Sequence, residues 1–189
     1  MPPPREAAMR CVAQKGPAEF TLRDVATDLG VMRATIYRYY ASTDELFTAV
    51  GRVEVITFIE DLTEHLRDID DPAGWVVEAL TAAILRLPVK PGLTLLLAAG
   101  RAGTFTRGIT SASSMRFGRD LFERSPIDWS AVGYDDRRLD ELIELMLRTL
   151  QSMVIDPRDP PRTESELREL FEHWIAPTVR HQVMTVSRS

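Results

Sequence analysis

The chain is poor in the residues that staple a fold, bind metal or carry nucleophilic chemistry. Its single cysteine, Cys11, excludes an intramolecular disulfide and any cysteine-built metal cluster. Placed on an amphipathic helix, that thiol reads as a small buried apolar residue rather than a redox switch. Of the three histidines, His173 and His181 lie two turns apart on one predicted helix, too far to share a metal, and His65 stands alone. No Gly-rich phosphate loop and no Ser–His–Asp arrangement can be placed, so no enzyme activity, cofactor or metal is expected. Long apolar runs are missing as well. The longest, Leu93 to Ala99, is far too short to span a bilayer. The Pro-rich start carries no apolar leader, which predicts a cytoplasmic protein without a membrane partner. Charge of basic sign is also short: the net charge of -5 argues against a broad patch for non-specific nucleic-acid binding. Neither strand-like alternation nor an internal repeat is visible, and the chain reads as all-α.

What is present is concentrated near the start. Thr21 followed by Asp24 has the spacing of a capping box, and Leu22, Val25, Ala26 and Leu29 then recur at helical intervals. Gly30 supplies the left-handed residue that ends a helix and opens a sharp turn. Val31 is positioned to fill the elbow, and a second short helix is predicted from Met32 to Tyr39 with Ile36 and Tyr40 facing inward. Arg33, Thr35, Tyr37 and Arg38 then project elsewhere. Ser42 with Glu45 repeats the capping-box spacing and opens a long helix from Thr43. A short helix held by its neighbours, with exposed Arg and Tyr, is a shape that enters a DNA major groove. Spacing by itself fits a helical hairpin inside an all-α core equally well.

This stretch resembles the TetR family of bacterial transcriptional regulators. The positions that carry the resemblance are Gly16, Phe20-Thr21, Asp24-Val25-Ala26, Leu29-Gly30-Val31, Ala34-Thr35-Ile36-Tyr37, Tyr39-Tyr40 and Ser42-Thr43-Asp44-Glu45-Leu46. They span about the first quarter of the chain. The resemblance implies a three-helix DNA-binding domain over residues 1–48 and a larger helical domain over 49–189 that binds ligand and dimerises. It implies a ligand-responsive regulator, most simply a repressor, that binds a palindromic double-stranded operator as a homodimer and is released by a small-molecule effector. A helical protein-binding adaptor without DNA binding is the alternative. Arg33 and Arg38 are the expected base readers, since an Arg fork matches guanine O6 and N7. Thr35, Tyr37 and Tyr39 fall at positions that touch phosphate in the family; Thr21 and Thr43 complete the expected DNA-binding set. Two departures stand out. Met32 occupies a position usually held by Ser or Thr, and Thr43 one usually held by Lys. Both imply weaker or less salt-dependent operator binding than in a typical member.

The first fifty residues carry six cationic and six acidic side chains, so the acidic excess lies in the remainder. Along the rest of the chain, outside the two short helices, the pattern predicts helices over about 5–15, 43–67, 73–87, 113–124 and 135–155, a buried apolar stretch from Leu93 to about Thr104, and a loop from Ser125 to Tyr134. A last helix starts after the Thr163/Glu166 capping box and carries Leu167, Leu170, Phe171, Trp174, Ile175 and Val179 as one stripe. The resemblance implies that the last two helices pair with their copies in a second subunit. The width of their apolar stripes agrees with that, although a monomeric core would also use them. The ligand cavity, too, is implied by the resemblance, with Trp75, Leu96, Arg101, Phe105, Phe117, Phe122, Trp129 and Met146 as its candidate residues.

Overall fold

The computed structural model describes residues 4–15, 20–90, 93 and 109–186. Nine helices and no strand lie among them. They are α1 (Pro4–Lys15), α2 (Leu22–Asp28), α3 (Arg33–Tyr37), α4 (Thr43–Leu66), α5 (Pro72–Arg86), α6 (Ala112–Glu123), α7 (Asp136–Ile155), α8 (Glu164–Trp174) and α9 (Ala176–Val186). The buried apolar residues divide into two clusters. A small one gathers Ala7, Ala8 and Cys11 of α1 with Phe20, Leu22, Val25, Ala26, Ile36, Leu46 and Val50. The larger runs from Phe58 through α5 to Val179. One helix, α4, serves both: Leu46 and Val50 sit in the first cluster, and Phe58, Ile59, Leu62 and Leu66 in the second.

Local chemistry explains most of the boundaries. Asp71 caps α5 by accepting the Gly74 N–H at 2.6 Å, with Pro72 at the first helical position, where a missing N–H costs nothing. Asp135 accepts the Arg138 N–H at 2.8 Å to start α7, and Ser111 accepts the Ser114 N–H to start α6. The Thr163/Glu166 box closes both ways: the Thr163 N–H donates to Glu166 Oε2 at 2.7 Å, and the Glu166 N–H to Thr163 Oγ1 at 3.3 Å. Within the larger cluster α5 is central, packing against α4, α7, α8 and α9, while α6 lies across α4 and α7. Gly118 permits that last approach, because a Cβ there would stand 2.5 Å from Ile143 Cγ2.

Two expectations about helix extent are corrected. The second short helix covers Arg33–Tyr37 rather than 32–39, since Met32 is in an extended conformation as its N-cap and Arg38 closes it. The single terminal helix is broken at Ile175, whose φ of -108° interrupts the run between α8 and α9. Pro177 supplies the reason: it has no N–H for the helical ladder, and its ring crowds the carbonyl of residue 173, so a continuous helix cannot pass through it. The apolar stretch expected from Leu93 to Thr104 falls, apart from Leu93, outside the described residues. The residue 48/49 boundary falls inside α4, and Val50 beyond it still packs in the smaller cluster.

Candidate DNA-binding surface

The turn between α2 and α3 is built from backbone bonds that only a left-handed residue allows. Gly30 has φ +64°. Its N–H reaches Thr27 O at 3.1 Å and the Val31 N–H reaches Ala26 O at 3.0 Å, the paired bonds of a Schellman ending. The chain therefore reverses direction within two residues, and α3 crosses α2 close by. Ile36, 1% exposed, anchors α3 by its inner side. Everything else on α3 is pushed outward or half outward.

That outer side carries the candidate residues. Arg33, Tyr37, Arg38 and Tyr39 are exposed, and Thr35 is half-buried. The Arg33 guanidinium lies 5.0 Å from the centre of the Tyr37 ring and donates to its hydroxyl at 3.2 Å. Arg38 repeats the arrangement on Tyr39, at 5.1 Å and 3.2 Å. Each cation thus lies over an aromatic ring, a contact worth about 0.5–1 kcal/mol at an exposed site, and each guanidinium has one Nη2 bond to a Tyr hydroxyl that it would exchange for a bond to a base edge. Met32 is 82% exposed and contributes no side-chain cap, while Thr43 sits at the start of α4.

The equal charge count of the first fifty residues conceals an uneven arrangement. Arg10 of α1 pairs with Asp28 at 2.6 Å, and Lys15 pairs with Asp24 at 2.6 Å. The Asp24 carboxylate also accepts the Thr21 N–H at 2.8 Å and the Thr21 hydroxyl at 2.9 Å. Glu45 bonds the Ala41 N–H at 2.7 Å. Acids of α2 are in this way satisfied by cations of α1, and among the described residues Arg33 and Arg38 face no carboxylate.

Hydrogen bonds from Lys15 first, and then from Thr21, hold the Asp24 carboxyl at about 2, against 3.8 for a free aspartate. A carboxyl depressed on folding stabilises the fold fully above its unfolded value and loses that contribution as pH falls through its folded value. Asp24→Asn should therefore lower the melting temperature at neutral pH, and the gap to the native chain should close between about pH 4 and pH 2. Thermal melts at a series of pH values check this. A gap independent of pH would mean that the α1–α2 tie is not electrostatic.

The larger cluster contains a cavity of about 210 Å³ between α4, α5, α6 and α7. Of the residues expected there, Phe117, Phe122 and Met146 line it. Trp75 and Trp129 do not. They stack behind Phe122, with Trp75 4.7 Å and Trp129 4.8 Å from its ring centre, and both are buried. Leu96, Arg101 and Phe105 lie outside the described residues. Sequence reading did not single out the aliphatic walls, among them Val55, Ile59, Leu62 and Leu150, because apolar residues at helical spacing look identical whether they meet a neighbour or a void.

A second feature that the sequence did not announce ties α4, α5 and α8 together. Glu78 of α5 accepts from Arg168 of α8 at 2.8 Å and lies 2.6 Å from His65 Nε2 of α4. His65 Nδ1 is in turn 2.9 Å from Arg86. Burial pushes the Glu78 carboxyl up, but the bonds from Arg168 and His65 outweigh it and leave the group below its usual range. His65, isolated in the sequence, is a structural link. Among the described residues no group of three His, Cys, Asp or Glu side chains is placed to hold a metal, and no helix is long and apolar enough to cross a membrane.

Known proteins resemble the chain in the same regions. Residues 5–50 match the model of the bacterial regulatory proteins of the tetR family. An uncharacterized HTH-type transcriptional regulator of Mycobacterium tuberculosis is 24% identical over 177 residues, which cover 92% of this chain and 82% of that one. YvaF, an uncharacterized HTH-type transcriptional regulator of Bacillus subtilis, is 36% identical over 88 residues, 46% of this chain and 43% of YvaF. Among solved structures, the fatty acid degradation regulator FadR of Bacillus halodurans aligns over 90% of both chains with a TM-score of 0.60 at 15% identity. A TetR-like transcriptional regulator of Rhodococcus sp. RHA1 aligns over 89% of both with a TM-score of 0.50 at 16% identity. At those identities the likeness is one of fold.

Proposed function

We propose that the chain, whose residues 5–50 match the bacterial regulatory proteins of the tetR family, is a member of that family and a ligand-released repressor that grips a palindromic operator as a homodimer. It is a DNA-binding transcriptional regulator of the helix-turn-helix type. The observation that carries the finer reading is the pair of guanidiniums laid on Tyr37 and Tyr39 of an exposed α3, beside acids already neutralised by α1. In this reading Arg33 and Arg38 read guanine edges. Tyr37, Tyr39, Thr35 and Thr43 set the register on phosphates, which position the protein without reading sequence, while Thr21, whose N–H and hydroxyl both go to Asp24, holds the start of α2.

The dimer is proposed to form through α7 and the α8–α9 pair. Leu145, Ile155, Trp174 and Met184 stand exposed there, Trp174 at 69%. Exposed apolar surface on closing helices fits burial against a second copy. Two-fold symmetry then presents two copies of α3 to successive major grooves, about 34–36 Å apart. The unit that joins effector to operator is α4. Its N-terminal half packs in the DNA-binding core, and Val55, Phe58, Ile59 and Leu62 farther along line the cavity. A ligand that favours one placement of α4 over another changes operator affinity by linkage. The protein acts in the cytoplasm, where its DNA lies.

Selection of random duplexes by the purified protein tests this. The expected product is an inverted repeat whose half-site centres lie about one helical turn, or a multiple of it, apart. An unenriched pool, or a single motif without its inverted partner, would contradict the dimeric operator.

A further inference from the structure

The cavity has a direction and a chemistry that its place in a regulator does not by itself specify. Its α6 wall runs from Ser114 to Phe122, about 12 Å along the helix axis. The Phe122 end is shut, because Trp75 and Trp129 stack against that ring and Tyr134 packs on Trp129 at 5.5 Å. The other end of that wall is Ser114, the one residue with a polar side chain among the described lining residues. Between the ends the walls are apolar, mostly aliphatic with Phe58 and Phe117 among them, and no charged side chain among the described residues borders the space. Burying a polar or ionised group in such walls without a partner is costly, whereas burying methylenes is favourable.

We propose that this cavity takes the hydrocarbon chain of an aliphatic ligand, inserted end-on with its methyl terminus toward Phe122 and its polar head at Ser114. The proposal rests on the reading of the body as an effector domain and names the class of effector. A flat polar compound would leave its hydrogen-bonding groups against Leu, Ile and Val. A long-chain compound matches both the length of the space and its lack of polar partners. The same chain chemistry occurs in neutral lipids and alcohols and in acyl anions, which differ only at the head.

Calorimetric titration of the full chain with hexanol, octanol and decanol, and in parallel with hexanoate, octanoate and decanoate, provides the test. The expected result is a Kd that falls by about fourfold per added methylene in at least one series until the cavity is full. The tighter series identifies a neutral or an anionic source. Ala83→Leu, which places extra carbon inside the cavity, should shorten the longest chain that still gains affinity. Ala79→Leu serves the same purpose should the first variant not fold. A Kd independent of chain length in both series, or folded variants that bind decanol as the native chain does, would overturn the proposal. Operator release is measured separately by fluorescence anisotropy. Chains that bind without releasing DNA would sink the regulatory reading and leave this one standing, and release by chains that show no length dependence would do the reverse.

Discussion

Replacing Arg38 with alanine is expected to weaken binding to the selected operator by about 1–3 kcal/mol, a rise in Kd of roughly five- to a hundredfold or slightly more. The effect is this large because a guanidinium bidentate to guanine supplies two charge-assisted bonds that nothing else at that base edge replaces. The loss should be accompanied by relaxed preference at one position of each half-site. Tyr39→Phe should behave differently. It keeps the ring that Arg38 lies over and removes the hydroxyl, which lies 3.2 Å from Arg38 Nη2 and is the group proposed to meet phosphate. Binding should then weaken evenly across sequences, because phosphate contacts carry no sequence information. Salt-matched anisotropy titrations on the operator and on single-base variants distinguish the two patterns. An Arg38→Ala protein with native affinity would remove that side chain from the interface.

The second large effect concerns stability rather than DNA. Trp75→Ala should cost about 3–5 kcal/mol, the range for deleting a buried aromatic, and lower the melting temperature by about 2–4 °C for each kcal/mol. Trp75 is 1% exposed and meets both Phe122 and Trp129 edge to face, so its removal opens a void in the aromatic group that closes one end of the cavity. Trp75→Phe should cost much less than the alanine change. Phenylalanine refills most of the volume, and it also removes an indole N–H that has no acceptor among the described residues. Phe117→Ala is the contrast. That ring is only half-buried and faces the cavity, so it should lose little stability and change ligand affinity instead. Urea titrations of the three variants provide the comparison. A Trp75→Ala protein as stable as the native chain would mean that the aromatic pile is not a structural floor.

Much of this architecture is legible in the sequence because its signals are local. Capping pairs such as Thr163/Glu166, the Asp71-Pro72 start and the left-handed Gly30 each act within a few residues, and each marks its boundary in the structure. The break at Ile175 was equally local, written in Pro177, but the continuous apolar stripe from Leu167 to Val179 outweighed it in the reading of the pattern. What the sequence hides is pairing over long separations. The charge count of the first fifty residues could not reveal that Arg10 is committed to Asp28 and Lys15 to Asp24, leaving α3 its positive face. His65 looked solitary because Glu78 and Arg168 reach it only after α4, α5 and α8 have packed. The division of aromatics between Phe117, which lines the cavity, and Trp75, which does not, depends on the same packing.

Guanine methylation interference on the selected operator tests most directly whether α3 works from the major groove. N7 of guanine is open in that groove alone, so a methyl group there blocks an Arg fork. The account predicts that N7 methylation within each half-site abolishes binding by the native chain and affects the Arg38→Ala protein less. Binding indifferent to N7 methylation, with interference confined to adenine N3 in the minor groove, would contradict it.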